Sequence, residues 1–317
     1  MPVRFTIVLY LTLMQFASAN GNQPSAKSEI LLTQTQKLLA ENKVTKQSEK
    51  QLEQNVLAFA SQEPAQGSKQ LLAELSLREP KILVPHEEGN VLVPFVDVGA
   101  AARYVLRYWE RQEARQFALR ASAAADTRFL DKYFSSDANR QSGFIDAVND
   151  APEQDLLLYR DELLEKISLY GADRLAAAMA KSLGDAGLHR QVIRNGSAPV
   201  ALATLPVLQE NLGVVAALPL LQLALSRDDI ASAAVFEIAQ LGGTLPQAND
   251  LLWQLIADPE HGSSAAAAIA RYADRHAVNK LSSLLSSPDS LLRNRASLAL
   301  RLIDRRASLL PSGDAGN

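Results

Sequence analysis

Cysteine is absent from all 317 residues. That excludes disulfide staples, thiolate nucleophiles, cysteine-ligated metal centres and any anchor that needs a lipidated thiol. Aromatic residues make up only 6% of the chain. Neither sign of charge prevails, with 32 basic against 35 acidic residues and a net charge of −3 at pH 7. Such a balance leaves no electrostatic footprint for nucleic acid. The four histidines, His86, His189, His261 and His276, include no pair at the i, i+4 spacing of a zinc helix. His86-Glu87-Glu88 lacks the second histidine of the metalloprotease motif. His261 follows Asp258-Pro259-Glu260 in a turn between helices, where an exposed polar residue is a simpler reading than an acid–base couple with Glu260. No Gly-x-Ser-x-Gly elbow, phosphate-cradling glycine loop or dinucleotide fingerprint is present. No catalytic residue, metal ligand or cofactor is therefore assigned.

Long apolar runs are missing as well, apart from Phe5 to Phe16. That run is about a dozen residues, short of the roughly 20 that cross a membrane as a helix. Arg4 precedes it, and Ala17-Ser18-Ala19 offers the small residues of a cleavage site. The pattern predicts a secretory signal peptide over residues 1–19, cleaved after Ala19. An exported chain without thiols suits an oxidising compartment, and a bacterial periplasm best of all.

What the chain has is leucine and alanine, which favour helix. Residues 20–80 are polar and carry narrow helical stripes. Ser48 and Gln51 read as a capping box ahead of Leu52, Val56, Phe59 and Ala60. Residues 81–150 read as a β-hairpin plus a helical segment. Ile82-Leu83-Val84 and Val91-Leu92-Val93 are the strands, and Gly89-Asn90 lies in the turn between them. Asp97 is placed to cap a helix running to about Ser122. Helical periodicity resumes after Pro152, with Gly171 expected to end one helix and Gly184 the next.

The strongest signal is an internal period after Ala198. Leu220-Leu221, Asp228-Asp229, Ala233-Ala234 and Ile238 match Leu251-Leu252, Asp258-Pro259, Ala265-Ala266 and Ile269. A third copy has Leu281, Leu284-Leu285, Pro288-Asp289, Ala296, Ala299 and Leu300. Ala234, Ala265 and Ala296 are 31 residues apart. Each unit reads as a leucine-rich helix, an acidic turn, and an alanine-rich helix that the turn caps. Neither helix can bury its apolar side without a neighbouring copy. Ala198 to Leu212 reads as an earlier, degenerate copy. The pattern through Pro288-Asp289, Arg293, Ala296, Ala299 and Leu300 resembles the short kind of HEAT-like repeat. The resemblance implies a mainly α fold, with an α-solenoid of HEAT-like helical hairpins over residues 151–305 and a binding scaffold as its use. The N-terminal helical region would carry one small β-hairpin, and residues 306–317 read as a disordered tail.

One constellation points to binding. Arg103, Arg107, Arg111 and Arg115 recur every four residues, a step that drifts only about 40° around a helix. Tyr104, Tyr108 and Trp109 lie alongside, and Glu110 and Glu113 are near enough to offset the charge. The stripe is either an anion-binding face or a solvated helix side with Ala102, Val105 and Trp109 turned inward. Three functions are open to such a chain, ranked in this order. The first is an exported, non-catalytic scaffold whose partner is another protein, with no role for nucleic acid. The second is an exported enzyme with a dispersed active site. The third is docking to an anionic lipid or glycan surface through the four arginines.

Overall fold

The computed structural model describes residues 25–309, and the predicted signal peptide lies outside the described residues. The chain is mainly helical and divides after Phe117 into two compact units. That division falls inside the stretch 81–150 that the sequence reads as one segment.

In the first unit, α1 (Ala26–Ala40), α2 (Lys46–Ala58) and α3 (Gln66–Ser76) precede the hairpin β1 (Leu83–Pro85) and β2 (Leu92–Pro94). Helix α4 (Val98–Ala123) comes next and crosses the division between units. The capping box of α2 forms one turn earlier than expected. Thr45 is extended at φ −130°, its hydroxyl accepts from the Ser48 amide at 3.1 Å, and the Ser48 hydroxyl accepts from the Thr45 amide at 2.9 Å. The hairpin is antiparallel and pairs Leu83 with Pro94, Val84 with Val93 and Pro85 with Leu92. Val84 and Val93 are half-buried, whereas Leu83 and Leu92 are exposed. Asp97 caps α4 as expected, its Oδ1 accepting from the Ala100 amide at 2.8 Å. The core of this unit joins Leu52, Val56 and Phe59 to Leu71, Leu72 and Leu75, with Ala102, Val105 and Trp109 of α4. The ring of Phe59 meets Trp109 edge to face at 6.4 Å.

The second unit continues with α5 (Arg128–Phe134), α6 (Ala138–Asp150), α7 (Glu153–Glu165), α8 (Ala172–Leu183) and α9 (Ala186–Asn195). An aromatic cluster holds this end. Phe129 stacks on Tyr159 at 4.6 Å and meets Phe144 at 5.4 Å. Tyr133 donates its hydroxyl to the Gly171 carbonyl at 2.6 Å. Gly171 does not end α7, which stops at Glu165; it precedes α8 in the left-handed region at φ 79°. Gly184 ends α8 as expected, at φ 59°.

The stretch read as a degenerate repeat is two short helices, α10 (Ala198–Thr204) and α11 (Leu208–Leu212), joined by a tight turn that carries Pro206. Three helix pairs come after it: α12 (Val214–Ala224) with α13 (Ala231–Leu241), α14 (Pro246–Leu255) with α15 (Gly262–Tyr272), and α16 (Arg275–Leu284) with α17 (Ser290–Leu309). The second members also pack on one another, α13 on α15 and α15 on α17. Ala234, Ala265 and Ala296 sit in these second members, each at 0% exposure. A single apolar core runs from Ile193 to Ala299. Because α17 reaches Leu309, the first part of the stretch 306–317 read as a disordered tail is helical, and the remainder lies outside the described residues.

Of the three acidic turns only that at Asp289 caps the helix after it; Asp258 closes its own turn ahead of His261, and α15 starts without a side-chain cap. Asp258 Oδ1 accepts from the amides of Glu260 and His261, both at 2.9 Å. Asp289 Oδ1 accepts from Leu291 at 2.8 Å and Leu292 at 3.3 Å. Asp229 does something else: it receives two bonds from Arg227, at 3.1 and 2.5 Å. Arg227 in turn donates from Nη1 to the carbonyls of Ile193 and Gly196 at the end of α9, at 2.7 and 2.9 Å. Those carbonyls are among the last of a helix, which have no partner within it. A cation there also faces the negative end of the helix dipole.

Candidate functional site

The arginine stripe lies on α4 as the spacing requires. Ala102, Val105 and Trp109 are buried; Arg103, Arg107 and Arg111 are exposed, and Arg115 is half-buried. Tyr104 and Tyr108 share the outward face, 57% and 38% exposed, with their rings stacked at 6.5 Å and 24° apart. The face thus joins arginines to aromatic surface at its first three positions.

The stripe is less uniform than the sequence suggests. Arg103 donates from Nη1 to the Ser76 carbonyl, the last residue of α3, at 2.5 Å. Its Nη2 lies 3.9 Å from Asp97 Oδ2. This arginine therefore fastens α4 to α3 as well as presenting charge. Arg107, Arg111 and Arg115 are also engaged in interactions of their own. Glu113, expected to offset the stripe, is drawn away to Lys69 at 2.5 Å.

The histidines divide differently. His86 is exposed at the hairpin tip, where its Nδ1 accepts from the Glu88 amide at 3.2 Å. His276 is exposed and His261 is half-buried. His189 of α9 is fully buried, its Nδ1 without a partner among the described residues and its Nε2 at 3.4 Å from Asn211 Nδ2. Burial pushes its imidazole down to about 4, against the opposing pull of Asp185. Burial pushes the Glu237 carboxyl upward, with the charge of Arg271 working against it. The Tyr133 phenol is raised by burial, and its hydroxyl is already committed to Gly171. Among the described residues, no group of three or more His, Asp or Glu side chains is placed to hold a metal ion. No helix among them is long and apolar enough to cross a membrane.

A second cationic feature was not visible in sequence. Arg295 of α17 is only 5% exposed and donates to the carbonyls of Ile256 and Pro259, at 2.9 and 3.0 Å. It ties the turn between α14 and α15 to α17, as Arg227 in the turn between α12 and α13 ties that turn to the end of α9. A buried arginine beside exposed ones carries no local signal, since its partners are backbone carbonyls 36 or more residues away.

The class that emerges is a mainly α protein with a small β-hairpin. No family model matches the chain, and no curated protein or solved structure matches it.

Proposed function

We propose that the helix pairs of residues 151–305 form a short α-solenoid of HEAT-like type, and that the protein is an exported scaffold for another protein. The carrying observation is the coincidence of period with burial. Ala234, Ala265 and Ala296 repeat every 31 residues, lie in α13, α15 and α17, and are all fully buried. Small residues at those positions let successive pairs approach closely, and a stack of pairs presents an extended surface. The predicted leader over residues 1–19 supplies the export, with the periplasm as the compartment. The test places a photo-activatable residue at exposed positions of the repeat half, Val215 and Gln240, and at Leu83 of the hairpin. A scaffold gives one discrete protein adduct from the repeat positions and none from Leu83. No adduct from any repeat position, under conditions where the protein is folded, removes the reading.

The α4 face supports a second reading, docking to an anionic surface. It rests on exposed arginines beside the stacked Tyr104 and Tyr108. Guanidinium forks bind phosphate and carboxylate in pairs of hydrogen bonds, and aromatic faces suit sugars and headgroup edges. Vesicles rich in anionic lipid then float the protein at low salt and release it at high salt. Binding that persists when Arg103, Arg107, Arg111 and Arg115 are all replaced by glutamine ends this reading.

A further inference from the structure

A cavity of about 170 Å³ opens in the first unit, where the end of α1, the start of α2 and the chain after α3 converge. Leu38, Leu39 and Leu52 give it an apolar wall, and Lys43, Arg78 and Lys81 bring three cations to it. Among the described residues of its lining, Glu49 is the one acid. Glu49 is 4% exposed, and its Oε1 accepts from Arg78 Nη2 at 2.5 Å. That carboxylate occupies one nitrogen of the guanidinium. The other, Nη1, is buried and has no acceptor among the described residues. A cationic donor withdrawn from water without an acceptor is costly, and an anion within reach would relieve the cost.

The surroundings add charge of the same sign. Lys43 and Lys81 are exposed at the rim, and neither forms an ion pair among the described residues. Ser48 and Glu49, in the first turn of the 13-residue α2, line the cavity, and the capping box of Thr45 and Ser48 mutes the positive end of that helix there. The negative ends of α1 and α3 are muted, because backbone amides cap Lys37, Leu39, Glu74 and Leu75 and Arg103 takes the Ser76 carbonyl. The volume is below the roughly 300 Å³ at which drug-sized ligand sites begin, which limits an occupant to a few carbons and one headgroup.

We propose that this cavity binds a small organic anion. A carboxylate or phosphate group lies between Arg78, Lys43 and Lys81, and a short apolar chain lies against Leu38, Leu39 and Leu52. The site is separate from the α4 face and from the repeat half, and stands or falls independently of the scaffold reading.

Butyrate, butyl phosphate and butylamine, titrated into the full chain and followed by ligand-detected NMR and calorimetry, test it. Butyrate or butyl phosphate binds and butylamine does not, and the tighter anion identifies the headgroup. Lys43→Ala with Lys81→Ala weakens anion binding by about tenfold or more while the unfolding midpoint stays put, because both side chains are exposed. Arg78→Lys keeps a charge beside Glu49 and weakens binding too, since it removes the planar fork. The proposal is overturned if neither anion binds, if butylamine binds as well as the anions, or if the double lysine variant binds as tightly as the parent.

Discussion

The guanidinium of Arg295 occupies the space a side chain on Gly262 would need. A Cβ at Gly262 would fall 2.2 Å from Arg295 Nη1 and 2.3 Å from its Cζ. Gly262 opens α15, and Arg295 lies across it to reach the carbonyls of Ile256 and Pro259. An exposed arginine would swing aside at little cost, but this one is buried and would lose two charge-assisted bonds. Gly262→Ala should therefore destabilise the second unit by about 1–3 kcal/mol, after allowing for the gain of about 0.4–1 kcal/mol from a less flexible unfolded chain. Urea unfolding of a double-mutant cycle checks the cause. In an Arg295→Ala background the same Gly262 change should be neutral or mildly stabilising. An equal loss in both backgrounds would place the strain elsewhere.

His189 sets an expectation for acid. Its folded-state value of about 4 lies below the ordinary 6.5, so the unfolded chain takes up the proton first. The stability it lends is complete above pH 6.5 and drains away as pH falls toward 4. Between pH 7.5 and pH 5 the loss is about 2 kcal/mol at most. Asp185 is held below its ordinary 3.8: burial works to raise it, but the bonds from Arg160 and the Leu188 amide outweigh that. Its contribution is lost only at lower pH. Urea midpoints at pH 7.5 and 5 should differ more in the parent than in His189→Leu. Equal midpoint differences in the two proteins would acquit this histidine.

The period of 31 was legible because alanine and leucine positions repeat in the text itself, and the burial of Ala234, Ala265 and Ala296 matches that text. Asp97 was legible for a similar reason, since a cap and its helix are adjacent in sequence. The arginine face was half legible: periodicity placed it outward. Periodicity had no means of showing Arg103 bound to Ser76 or Glu113 bound to Lys69, contacts 27 and 44 residues apart. The sequence places the capping box one turn late because serine, unlike glutamate, is not an obvious N3 partner, yet Ser48 reaches the Thr45 amide. His189 was hidden by its neighbours, a polar residue in an amphipathic helix being usually solvated. The Arg78 cavity was invisible because its walls come from separated stretches of chain, and no one of them is unusual by itself.

Trp109 should separate size from polarity in the first core. It is 2% exposed, packs edge-on with Phe59, and its indole nitrogen has no hydrogen-bond partner among the described residues. Trp109→Ala removes the whole ring and should cost about 3–5 kcal/mol. Trp109→Phe also leaves a cavity, but it removes the orphaned donor and should cost no more than about 1.5 kcal/mol. Thermal unfolding of both variants gives the comparison. A phenylalanine variant as unstable as the alanine one would mean that the indole nitrogen is bonded in solution.

Ala125 holds a conformation usually left to glycine. Helix α4 ends with Asp126 N bonding to Ala121 O at 2.9 Å and Ala125 N to Ser122 O at 3.1 Å, while Ala125 sits at φ 52°. This is the left-handed cap in which the Cβ of an L-residue crowds the next carbonyl, at roughly 1–2 kcal/mol. Ala125→Gly removes that crowding but makes the unfolded chain more flexible, by about 0.4–1 kcal/mol. The net should be a gain of up to about 1 kcal/mol, seen as a higher urea midpoint with an unchanged slope. Ala125→Val should move the midpoint the other way, since a β-branched side chain is least tolerant of positive φ. A loss of stability on going to glycine would mean that Ala125 relaxes out of the left-handed region in solution, and that α4 ends by another route.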